Sequence, residues 1–287
     1  MNNKIKILLL ILLTVLYADT GSGENVYYFT PGPNLVSFNI LPEEGAEIVS
    51  MFHDIEDNII SIINQGEISY FNEGTWVGSL TNIDNEGGYW ILVENISLLP
   101  IIGEFENPPL YMLMGGANLI SYPYSTSQPI EEALPFYMLD KIIGIIGQNE
   151  AALFSNNEFY GSLESFEPNK GYWFILSDPV PFQYNVPDVF ATSIVNQNLN
   201  NEITLDYNQS TKQSIFFIEN IYLNNSNIEN FELEAYCNNT LVGHTTWNEQ
   251  MSDIVIMGED GFNFTSGYCN ENDIISIGIN IDDEILN

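Results

Sequence analysis

The chain has no arginine, and only five lysines, two histidines and two cysteines among its 287 residues. Against those few cations stand 39 aspartates and glutamates, for a formal net charge of −34. Nothing is left to neutralise phosphates, so nucleic acid is excluded as a partner. Anionic membrane surfaces are excluded on the same ground. Missing guanidinium and scarce imidazole also remove the usual charge-stabilising and proton-shuttling groups of enzymes. No Gly-x-Ser-x-Gly, His-Glu-x-x-His or phosphate-loop pattern occurs, and His53 and His244 lie far apart in sequence. Each histidine reads as a surface side chain rather than a general base. Beyond the first residues, no apolar run is long enough for a membrane helix.

What is present can fold. Hydrophobic residues make up 45% of the chain and aromatics 13%, enough for real cores in roughly two or three units. The first residues read as an export signal: Lys4 and Lys6 precede an apolar stretch, Ile7 to Leu16, with Ala18 beyond it. Residues 1–18 are therefore expected to be a signal peptide of a secreted, extracellular or cell-surface protein, with an uncleaved N-terminal anchor as the alternative. Their removal leaves three lysines against 39 acids, a charge of −36. An even pair of cysteines in an exported chain suggests a Cys237–Cys269 disulfide, with two separate buried thiols as the alternative.

An internal repeat organises the middle. Asn34-Leu35-Val36-Ser37 recurs as Asn118-Leu119-Ile120-Ser121, 84 residues on. At an offset of 83, Ile59 to Gln65 recurs as Ile142 to Gln148, Trp76-Val77-Gly78-Ser79-Leu80 as Phe159-Tyr160-Gly161-Ser162-Leu163, and Gly88-Tyr89-Trp90 as Gly171-Tyr172-Trp173. Four blocks in one order, at offsets of 84 and 83, imply two copies of one module, at 31–106 and 115–184. Each copy reads as strands with one short helix, opened by Pro42-Glu43-Glu44 or by Pro129-Ile130-Glu131-Glu132. Asn72-Glu73-Gly74 and Ser155-Asn156-Asn157 read as hairpin turns. The Tyr-Trp strand is apolar on both faces, which favours a strand covered on both sides over a sugar-stacking platform.

After a proline-marked linker, residues 190–287 alternate short strands with Asn- and Gly-rich turns, the pattern of a β-sandwich. The expected fold class is mainly β: two tandem strand-dominated α+β repeats followed by a β-sandwich. Glu259-Asp260-Gly261-Phe262-Asn263, with Asp273 further on, supplies oxygen ligands that would suit calcium, with an acidic β-turn as the alternative reading. No cofactor other than that cation is expected. Other acid pairs carry no information, because 39 acids guarantee them.

The repeat resembles a module of secreted multidomain proteins of marine bacteria. The shared pattern runs Asn-Leu-Ile-Ser-Tyr-Pro, a short acidic helix, an Ile-Ile-Gly strand, Trp-x-Gly-Ser-Leu and Gly-Lys-Gly-Tyr-Trp. Asn118 to Pro123, Ile142 to Gly147, Gly161 to Leu163 and Pro168 to Trp173 match it best. The first copy departs at Phe38-Asn39 and Asn85-Glu86-Gly87. The tail is similar to a β-domain that often follows such modules, through Gln209 to Gln213, Met257 to Gly261 and Gly267 to Asn270. That family commonly has cysteine where Leu241 stands, so Cys237 is a departure. The resemblance implies a surface or extracellular protein, often exported by a type IX-like route, with no established activity.

The expected function is a non-enzymatic structural or interaction protein for adhesion, matrix or display. Its partners would be an extracellular protein or a surface glycan. The competing expectation is carbohydrate binding or glycoside processing, which requires Trp76, Trp90 or Trp173 exposed in a groove beside carboxylates about 5–10 Å apart.

Overall fold

A computed structural model describes residues 22–187, 207–221, 231–247, 251–281 and 284–286. The expected signal peptide, the start of the third region and the Asn224 to Asn227 turn lie outside these residues. The fold is mainly β, built from antiparallel sheets.

The first unit starts with β1 (Ser22–Phe29), β2 (Gly32–Ser37) and β3 (Ile40–Leu41). One helical turn, α1 (Ile48–Met51), and a 3-10 turn at His53–Asn58 lead into β4 (Ile59–Ile63), β5 (Ile68–Asn72) and β6 (Thr75–Gly78). β7 (Gly88–Val93) and β8 (Ser97–Phe105) close the unit. The second unit contains β9 (Tyr111–Leu113), β10 (Gly116–Ser121), β11 (Gln128–Pro129), α2 (Ile130–Ala133) and a 3-10 turn at Phe136–Lys141. It continues through β12 (Ile142–Ile146), β13 (Ala151–Ser155), β14 (Glu158–Tyr160), β15 (Ser165–Phe166), β16 (Gly171–Leu176) and β17 (Val180–Phe182).

The strand orders correspond. The first five-stranded sheet runs β2-β7-β4-β5-β6, and the second β10-β16-β12-β13-β14. A register shift falls between Ile59 and Ser61 in one and between Ile142 and Gly144 in the other. Outer ribbons also match: β1 pairs with β8, and β9 with β17. Each unit thus includes a strand ahead of the span read from the repeat.

The recurring residues do equivalent jobs. Buried Asn34 takes the Thr30 N–H on its Oδ1 at 3.0 Å and donates to the carbonyls of Thr30, Gly32 and Ile91. Asn118 does the same with Met114, Gly116 and Phe174. An asparagine is needed because both its amide atoms satisfy backbone that turns into a buried strand. Gly78 and Gly161 approach the facing strand so closely that a Cβ would sit 2.0 Å from the Ile68 carbonyl and 2.2 Å from that of Ala151. Positive φ at Glu73 and Gly74, and at Asn156 and Asn157, gives the two expected hairpin turns their type I′ form.

The helices are shorter than the sequence suggested. Glu43 and Glu44 form a turn, Gly45 adopts φ +109°, and the helix begins only at Ile48. That left-handed residue breaks the run that the acids were expected to open. In the second unit Pro129 caps a helix that stops at Ala133, because Pro135 removes a donor and restrains Leu134.

The third region holds β18 (Gln213–Ile218), β19 (Phe231–Cys237), β20 (Thr240–Trp247), β21 (Ser252–Met257), β22 (Ile275–Ile281) and β23 (Glu284–Leu286). β18 pairs with β21, and the other four form a sheet ordered β20-β19-β22-β23. Leu233, Ala235, Val242, Ile254 and Met257 are buried in one core here.

Candidate functional site

The two five-stranded sheets meet at a reciprocal seam. The Leu35 N–H donates to Gln148 Oε1 at 2.8 Å, and the Leu119 N–H to Gln65 Oε1 at 2.8 Å. The same glutamines donate back: Gln65 Nε2 to the Ala117 carbonyl at 2.8 Å, Gln148 Nε2 to that of Pro33 at 3.3 Å. The Ser37 N–H donates to the Asn169 carbonyl and the Ser121 N–H to that of Glu86, each at 2.9 Å. Residues of equivalent register therefore exchange roles, the signature of a two-fold, self-complementary contact.

The seam explains the doubly apolar Tyr-Trp strand. Tyr89, Ile91 and Val93 enter the first unit's own core. Trp90 and Leu92 face the other way and pack with Leu35, Leu119 and Trp173 between the sheets. Phe262 and Phe264 of the third region, stacked 5.5 Å apart, close over this cluster. Trp76 is half-buried against Phe52 and Phe71, with its indole N–H on Glu56 at 3.3 Å. Trp247 is buried against Phe231.

Cys237 and Cys269 are disulfide-bonded, with Cα atoms 5.4 Å apart. The four oxygen-bearing residues near them are engaged separately. Asp260 organises its own loop, accepting from the Thr211 N–H and hydroxyl and from the Thr265 hydroxyl. Glu259 accepts from the Asn270 amide at 3.3 Å and Asp273 from the Asn270 N–H at 2.8 Å. Asn263 is exposed in a 3-10 turn. Among the described residues no group of three His, Cys, Asp or Glu side chains could hold a metal.

His53 is exposed beside Glu56, and His244 faces Glu232 across the β19–β20 pair at 2.8 Å. A cleft of about 520 Å³ lies between the second unit and the third region. At its edge Asp253 is buried, accepting the Ser162 N–H at 2.6 Å and its hydroxyl at 2.9 Å. Burial pushes the Asp253 carboxyl above its ordinary range in spite of those donors. Glu150 is raised for the same cause, although Lys170 Nζ lies 3.7 Å from it. Nothing in the sequence set these two acids apart from the other 37.

Fold and surfaces together define a mainly β protein whose two five-stranded sheets are joined through a self-complementary seam. Comparison with known proteins finds no matching family, no similar curated protein and no similar solved structure. Among the described residues no helix is long and apolar enough to cross a membrane.

Proposed function

We propose that this chain is an exported, extracellular or cell-surface interaction protein without catalytic activity, built from two copies of one duplicated module and a β-sandwich tail. The reciprocal seam carries this reading: it uses the tryptophan strands to fix one module against the other and leaves equivalent surfaces facing outward. Duplicated surfaces raise avidity, whereas a catalytic centre gains nothing from being copied. The disulfide fits an oxidising compartment.

The competing carbohydrate reading has a weaker base, because Trp90 is buried and Trp173 is packed in the seam. Capture of cell-surface fractions by the mature protein, with and without calcium and beside a glycan array, tests the choice. Retention of a surface protein is the expected result. Glycan capture or hydrolysis that is lost in Trp76→Ala would overturn it.

A further inference from the structure

Two ribbons carry apolar side chains where water should favour polar ones. Along β8, Leu99 and Ile101 are buried while the alternating Leu98, Pro100 and Ile102 face outward, Leu98 at 56% and Ile102 at 66% exposure. On β1, Val26 stands opposite Pro100 and Tyr28 opposite Leu98, so the outward face is apolar across both strands at these two pairs. A ribbon with one solvated face ordinarily alternates apolar and polar residues. The second unit repeats the feature: Met112 is 71% exposed opposite Pro181, and Met114 follows at 63%. The inward neighbours fix the equivalence, since the hydroxyls of Tyr27 and Tyr111 donate to the carbonyls of Ser37 and Ser121, each at 3.1 Å.

Charge narrows the occupant. Residues 22–106 hold fourteen acids and no lysine or arginine, and the first cation after them is Lys141. Exposed Glu24 lies opposite Ile102 on the ribbon, and Glu104 lies two residues further along β8. Acids at one end of this apolar face, on a unit with no lysine or arginine, repel a second copy of this chain and any anionic surface and attract a partner that is both cationic and apolar. Within the described residues β1 pairs on one side only, at the edge of the order β1-β8-β3. Such an edge can take a further strand.

We propose that the outward faces of the β1–β8 and β9–β17 ribbons are paired docking sites for a cationic, apolar-bearing polypeptide in extended conformation. This rests on the interaction reading above and names the chemistry of the partner.

The test titrates the full chain with a fluorescent ten-residue peptide of alternating Lys and Val. A Glu-Val peptide, a Lys-Ser peptide and phosphatidylcholine vesicles serve as comparisons. The Lys-Val peptide should bind at two sites. Leu98→Ser with Ile102→Ser should weaken one site about tenfold, and Met112→Ser with Met114→Ser the other. Lys-Ser binding should be weak and indifferent to both changes. Absent Lys-Val binding, equal binding of Glu-Val, capture by the vesicles instead, or indifference of Lys-Val binding to the substitutions would each overturn the proposal. Retention of surface proteins by both double variants would sink this inference alone. Loss of all retention by the unaltered chain would sink the interaction reading with it.

Discussion

Gly88 and Gly171 meet across the seam: a Cβ on Gly171 would lie 3.0 Å from the Gly88 Cα and 2.9 Å from the Val36 carbonyl. A Cβ on Gly88 would in turn meet Leu119 at 2.7 Å and the Ile120 carbonyl at 3.1 Å. Each begins the strand that also carries the seam tryptophan, so these glycines set how closely the two sheets approach. Gly171→Ala presses on backbone, which cannot step aside, and should cost about 2–3 kcal/mol. Gly88→Ala presses first on a flexible leucine and should cost less. Urea unfolding of both variants checks the order; equal or negligible losses would mean that the sheets do not meet here.

Gln65 and Gln148 should prove interchangeable in effect. Each satisfies one edge N–H and one carbonyl of the opposite unit. Alanine at either position removes both bonds and strands a backbone donor, for about 1–2 kcal/mol. Amide hydrogen exchange resolves the two cases. Gln148→Ala should speed exchange at Leu35, and Gln65→Ala at Leu119, without the converse.

Much of this architecture is legible in the sequence, and the illegible parts share a physical cause. Strands, hairpin turns and the Asn-Leu-(Val/Ile)-Ser start are local, so spacing and turn chemistry reveal them. The double apolar face of Gly88 to Val93 announced a cover, yet what covers Trp90 is Leu119, decided by a contact between distant units. Gln65 and Gln148 ended recurring blocks, but a glutamine carries no local signature of bonding to a foreign strand. Asp253 was one acid among many, distinguished only by burial against Ser162. The helix start failed because Pro42-Glu43-Glu44 suits a turn as well as a first helical turn, and Gly45 decided between them.

Buried tyrosines make the fold sensitive to alkali. Burial raises the hydroxyls of Tyr27, Tyr89, Tyr111, Tyr122, Tyr172 and Tyr184 above the ordinary value of 10, and that of Tyr207 to about 12. The folded state then holds more protons than the unfolded chain once pH passes about 10. Stability is complete below that value and falls as pH rises through the folded-state values. Tyrosinate absorbance near 295 nm should appear in two phases, exposed groups first and the buried set together with unfolding. A single gradual titration would contradict this packing.

Reduction should loosen the third region. The Cys237–Cys269 bond closes a loop over 32 residues, worth about 3–4 kcal/mol in a chain-entropy account. Cys237→Ser with Cys269→Ser should lower the free energy of unfolding of this region by that amount, read from urea titration. Intact mass after alkylation without reductant should show no modified thiol in the unaltered chain.

Acid should tighten the contact between the second unit and the third region. Asp253, bonded to Ser162 across this contact, is raised above its ordinary value by burial, so the docked state holds more protons than the undocked one in mildly acid solution. Lowering pH from 7 toward 5 therefore favours docking, and it continues to do so until the free carboxyls protonate as well. The net charge of −34 adds self-repulsion in the same direction, which salt screens within about 8–10 Å. High salt thus separates the two contributions. Asp253→Asn keeps an acceptor for the Ser162 N–H and removes the buried charge. In 0.5 M NaCl the unaltered chain should still gain stability on acidification, and Asp253→Asn should gain clearly less. Thermal unfolding at pH 5 and pH 7 measures the difference. Identical gains in both proteins would place the acid response outside the Asp253–Ser162 contact.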